Sequence, residues 1–177
     1  MTEVRPPNAL QMRALGDVEG LLQTLADHDA PSRERMFAAT ALEKFREGRV
    51  RDALVAELRD PDFSVRVEAV RSLGKLGDEQ AIPPLFERVS ELESGQEYRW
   101  VLSSLAALDA REVEPLILEE LTTGEIPKRR WMARLLGSVG SRSAIAPLQA
   151  AARADGALHR RGYRRAIRKV ERRARRE

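Results

Sequence analysis

Apolar residues return along this chain at two interleaved spacings. In the first, Val65, Ala69, Leu73 and Leu76 recur every three or four residues, one stripe of an α-helix. In a second, shorter stripe, Ile82, Leu85, Phe86 and Val89 do the same. We term the two patterns helices A and B. The A stripes end at Leu42 and Phe45, Leu73 and Leu76, Leu105 and Leu108, Leu136 and Val139, and Ile167 and Val170, in steps of 31, 32, 31 and 31 residues. The B stripes are anchored at Leu21, Leu54, Leu85, Leu116 and Leu148, in steps of 33, 31, 31 and 32. No segment alternates with period two or carries the β-branched runs of strands. Two ladders at one period predict an all-α protein of stacked helix pairs.

The punctuation between stripes fits this reading. Gly77 and Gly140 are expected to close A helices in the left-handed conformation that glycine enters without penalty. Pro84, Pro115 and Pro147 sit in the first turns of B helices, where a missing N–H has no helical partner anyway. Asp60 and Pro61 read as N-cap and first residue of an A helix. Pro7–Leu15, headed by Pro6 and Pro7, is a short first helix. Leu158, Tyr163, Ala166, Ile167, Val170 and Ala174 form the stripe of a long last one. We therefore expect one domain over residues 1–177: an N-terminal capping pair (1–28), four central repeats (29–155) and a basic C-terminal capping helix (156–177). A single helix pair buries too little to offset the entropy of ordering it, so each repeat depends on its neighbours.

These spacings, with VRVEAVRSLGKLG (Val65–Gly77) and AIPPL (Ala81–Leu85), resemble HEAT-like repeats of the phycobilin-lyase type. The resemblance covers nearly the whole chain. It departs at EYRWVLSSLAALDA (Glu97–Ala110), which lacks both glycines, so a different turn is expected after Leu108. What the resemblance implies is a right-handed α-solenoid of about five helix-pair repeats, with B helices along its concave face. The functions it implies range over scaffolds, bilin-attachment chaperones and DNA-alkylation glycosylases, so the fold narrows function little.

Charge divides the chain. Before Lys128 there are 15 Lys and Arg against 25 Asp and Glu; from Lys128 onward, 16 against 3. The longest apolar clusters fall well short of a membrane span, and the first residues lack the apolar core of a secretory signal. With no Cys, disulfides, thiolate metal sites and a Cys nucleophile are excluded, and a cytoplasmic location is expected. His28 and His159 lie at opposite ends of the array, so no histidine pair is expected to hold a metal. There is no glycine-rich phosphate loop or nucleophile elbow. No catalytic residue, metal or cofactor is expected.

Three surfaces remain as candidates. Residues beside the B anchors form a ridge whose middle is acidic: Asp52, Glu57, Glu87, Arg88, Glu114, Leu118 and Glu119. It would repel DNA and suit a basic or amphipathic peptide; Leu118 is its one large apolar residue. The last helix, His159–Glu177, carries ten Lys and Arg against two Glu. Its Arg160, Arg161, Arg164, Arg165 and Arg168, with Lys128, Arg129, Arg130 and Arg134 one period earlier, form a patch suited to phosphates, or simply a polar cap. The apolar stripe of that helix is needed by the core, so no membrane contact is expected. Trp100 and Trp131 share a register with Phe37 and Glu68, which predicts packing between successive A helices rather than an exposed aromatic ledge. No carboxylate stands one turn away on the same face, as the glycosylase arrangement would require. Arg35, Arg66, Arg99 and Arg130 recur near the starts of A helices; Arg66, beside Asp60 and Asp62, is expected to tie turns together.

The reading is a non-catalytic protein-binding scaffold that uses the B-helix face, with another protein or peptide as partner. The alternatives are a nucleic-acid-binding module using the Arg-rich end and, from the resemblance alone, a bilin-lyase-like chaperone.

Overall fold

Eleven α-helices and no strand occur among the residues that the structure, a computed structural model, describes: 8–92 and 95–176. The prolines expected to head the first helix lie outside them. The helices gather into two compact units, Met1–Arg88 and Val89–Glu177.

In the first unit, α1 (Ala9–Leu15) and α2 (Val18–Ala26) form the first helix pair. They are followed by α3 (Ser32–Leu42), α4 (Gly48–Ala56), α5 (Phe63–Leu76) and the start of α6 (Ile82–Glu91). The A helices α1, α3 and α5 pack in series, and α2 and α4 pack on each other and on the A helix that follows each. The second unit repeats the plan. In α7 (Gln96–Ala107), α9 (Ile126–Val139) and α11 (Arg160–Ala174) the A helices stack. The B helices α8 (Glu114–Thr123) and α10 (Ile145–Ala154) contact each other and the A helix that follows each. The leucine ladder lines the core, with Leu42, Leu73, Leu105 and Leu136 fully buried among A helices and Leu21, Leu54, Leu85 and Leu148 among B helices. No helix of the described residues is long and apolar enough to cross a membrane.

Five points of local chemistry bear on the expectations: four go against them, and the different turn after Leu108 agrees. The cap of α5 is Asp62, which accepts from the Ser64 and Val65 N–H groups, and not Asp60, which is buried. Gly77 ends α5 at φ 74°, as expected, but Gly140 ends α9 in an extended conformation. Glycine is required there for room, because an added Cβ would lie 2.6 Å from the Leu136 carbonyl oxygen. After Leu108, where the glycines are missing, Asp109 takes up the left-handed turn at φ 50°; Asp and Asn tolerate this region better than most residues. Leu158 precedes α11 and is 93% exposed, so the stripe of that helix begins at Tyr163. The fifth point moves the candidate ridge. Leu116 is 48% exposed and Ile117 is fully buried, so Ile117 is the anchor of α8.

Candidate functional site

That one-residue shift places Glu114 three residues before its anchor, the register held in α4 by Arg51. Both tie their helix to the next B-helix start. Arg51 donates to Asp78 (2.9 Å) and to the Gln80 side chain. Glu114 accepts from the Ser141 N–H (3.1 Å) and from the hydroxyls of Ser141 and Ser143 (both 3.0 Å). The sequence offsets match, 27 and 29 residues in each case, with the polarity reversed. Glu114 is therefore a buried structural tie and not part of an open ridge. Glu114→Ala would leave those donors unpaired and is expected to cost about 1–3 kcal/mol. Glu119→Lys, on the exposed side of α8, is expected to stay within about 0.5 kcal/mol of wild type. Thermal melts of the two variants check this.

Glu57 also turns inward. It lies with Asp60 beneath Arg35, whose guanidinium faces both Asp60 oxygens (3.1 and 3.2 Å) and also donates to the Ala30 carbonyl (2.6 Å). Burial first, and then its contact with the Asp60 carboxylate, pushes the Glu57 carboxyl up to about 7. Burial would also raise Asp60, but the Arg35 bonds and the Asp62 N–H hold it below its ordinary value. His28, Glu57 and Asp60 could each present a ligand atom within 4.8 Å of the others. Arg35 already supplies the positive charge at that cluster. Of the remaining ridge residues in this unit, Asp52 is exposed and paired with Arg51 (2.7 Å), Glu87 is exposed and paired with Arg59 (3.3 Å), and Arg88 is half-buried.

The outer face of α8 is open. Leu116 points to solvent with Glu119, three residues on along α8, exposed beside it, while Leu118 is half-buried; Glu112 is exposed in the 3-10 turn (Arg111–Val113) that leads into α8. The rotation that exposes Leu116 draws Leu118 partly into the core.

The basic patch loses two members. Lys128 pairs with Glu120 (2.9 Å), and Arg129 pairs with Asp155, which is buried and also accepts from the Tyr163 hydroxyl. Arg129 thus repeats in this unit what Arg35 does with Asp60 in the first. The buried arginine position is one residue before Arg130, and Tyr98 holds it in α7. Arg66 occupies it in α5 and donates to the Asp60 (2.8 Å) and Pro61 (3.0 Å) carbonyls. Arg130, Arg134, Arg160, Arg161, Arg164, Arg165 and Arg168 are exposed.

Between α9 and α11 lies a cleft of about 380 Å³ that includes Arg130, Arg134, Arg165 and Lys169 together with Trp131 and Tyr163. Trp131 meets the Tyr98 ring of α7 at 5.4 Å, which is packing between successive A helices as its register predicts, though against Tyr98 and not Trp100. Trp100, at the equivalent position, is 37% exposed. Sequence reasoning missed the contributions of Tyr163, Lys169 and Gly162 to this cleft.

The paired A and B helices, their period and their buried ladder define a helical-repeat protein. The family model for HEAT repeats matches residues 18–106, half of the chain, and the protein belongs to that family. The fold is similar to that of a chain in the CpcE–CpcF complex of phycocyanin lyase from Nostoc sp. PCC7120, with a TM-score of 0.50 and 17% identity over 96% of this chain and 97% of that one. It is also similar to an engineered protein, with a TM-score of 0.52 and 18% identity over 92% of this chain and 50% of that one. At such identities the likeness concerns the fold. No curated protein matches the chain.

Proposed function

We propose that this HEAT-repeat chain is a non-catalytic scaffold that binds another protein through the outer face of α8, and that the segment it takes up is basic and amphipathic. The observation that carries the reading is Leu116, a large apolar side chain turned to solvent on the helix that also exposes Glu119, with Glu112 exposed in the turn just before it. An apolar centre with an acidic rim offers a partner helix burial for one side chain and charge complementarity around it. Glu57 and Glu114 fall outside this surface, and Asp52 and Glu87 are already paired.

The test is fluorescence polarisation with a synthetic helix carrying Leu on one stripe and Lys beside it. Leu116→Asp and Glu119→Lys are each expected to weaken binding about tenfold or more, with melting temperatures unchanged because both side chains are exposed. Equal affinity for wild type and both variants would reject the surface.

A further inference from the structure

Two glycines of opposite character lie where α9 meets α11. At Gly137 an added Cβ would lie 3.0 Å from the Ala166 Cα, so the two backbones are pressed together there. Arg173 fastens the same end by donating to the Gly137 (3.0 Å) and Gly140 (2.7 Å) carbonyls. One turn before Ala166, at Gly162, an added Cβ would meet nothing within 4 Å. Gly162 stands at the register of Phe37, Glu68, Trp100 and Trp131. Inside a helix glycine is about 1 kcal/mol less favourable than alanine. Neither a positive φ nor a close neighbour calls for it here. The side chain missing at this register leaves the space of the cleft.

That space is built for an anion. Arg130, Arg134, Arg165 and Lys169 line it, and no carboxylate does. None of the four has an ion-pair partner among the described residues, and the nearby buried carboxylate, Asp155, is already taken up by Arg129 and Tyr163. Arg134 lies over the Trp131 ring at 5.7 Å, which holds its guanidinium in place before any ligand arrives. Guanidinium forks match phosphate oxygens. The Trp131 ring and the bare Gly162 backbone form a wall against which a flat, apolar body can lie. A volume of about 380 Å³ is within the range of small-molecule sites.

We propose that the α9–α11 cleft binds a nucleoside phosphate, free or as one unit of a single strand. Its phosphate rests on Arg134, Arg165 and Lys169, and its base lies over Gly162 against Trp131. This site is independent of the α8 face.

Isothermal titration calorimetry of the full chain with ATP, inorganic pyrophosphate, a single-stranded oligonucleotide and a bilin tests it. ATP is expected to bind more tightly than pyrophosphate, and its affinity to fall between ~50 and ~200 mM salt. Gly162→Phe fills the space and should weaken ATP about tenfold or more while leaving the melting temperature equal or higher. Arg134→Gln with Arg165→Gln, at exposed positions, should weaken ATP to a similar degree and keeps the test readable if the first variant folds poorly. Oligonucleotide binding tighter than ATP assigns the unit to a strand, and the reverse to the free nucleotide; either supports the site. Pyrophosphate binding as well as ATP, a bilin binding more tightly than both, or undiminished ATP binding by the two variants would overturn it.

Discussion

Arg35→Met is expected to destabilise the first unit by about 3–5 kcal/mol, the range for breaking a buried ion pair from one side. Arg35 and Asp60 are 4% and 2% exposed. Without the guanidinium, Asp60 keeps the Asp62 N–H (2.6 Å), the Glu57 carboxyl and a His28 imidazole 3.8 Å away, but no full positive charge in hydrogen-bond contact to offset its burial. The penalty belongs to the stranded carboxylate more than to the lost attraction. Arg35→Met combined with Asp60→Asn should therefore be clearly more stable than Arg35→Met alone. Urea unfolding followed by circular dichroism is the suitable probe, because Trp100 and Trp131 both lie in the second unit. If the double variant were no more stable than the single one, the cost would lie in packing rather than charge.

The second large effect is a dependence on pH. Glu57 has its carboxyl raised from an ordinary value of 4.5 to about 7, so the folded state favours its protonated form. The stability this gives is complete below about pH 4.5 and is lost as pH rises to about 7, a change of about 3 kcal/mol. Asp60 has the opposite sign. Its pairing stabilises the fold above its ordinary value and is lost on further acidification. The first unit should thus be most stable on the acid side of neutrality. Glu57→Gln keeps the shape and cannot ionise, so the decline between pH 4.5 and 7 should disappear in that variant. Parallel urea midpoints for wild type and Glu57→Gln across that window would contradict the assignment.

The helix pairs were legible in the sequence because leucine spacing records burial directly. Where two apolar residues adjoin, spacing cannot choose between them. In Pro115-Leu116-Ile117 either residue satisfies the period, and only packing selects Ile117. That single step moved Glu114 from the expected ridge into the register of Arg51 and exposed Leu116 in place of Leu118. The arginines misled for a related reason. The connections between B and A helices differ by a residue, so Arg99 and Arg130 continue the spelling of Arg35 and Arg66. Their structural counterparts are Tyr98 and Arg129. Buried ion pairs such as Arg35 with Asp60 leave no mark in the hydrophobic spacing, since the partners lie 25 residues apart, one on α3 and the other in the connection before α5. The cleft comes from an absent side chain. Its trace, glycine at the position filled elsewhere by Phe37, Glu68, Trp100 and Trp131, becomes visible only once the repeats are aligned.

A scaffold of this kind acts by presenting side chains on a rigid helix, so where a partner sits should be readable from backbone protection. Hydrogen exchange of the full chain with and without the Leu/Lys helix, followed by mass spectrometry, measures it most directly. Slowed exchange over residues 111–123, absent in Leu116→Asp, is the expected result. Binding that leaves those amides unchanged and protects another segment would contradict the account.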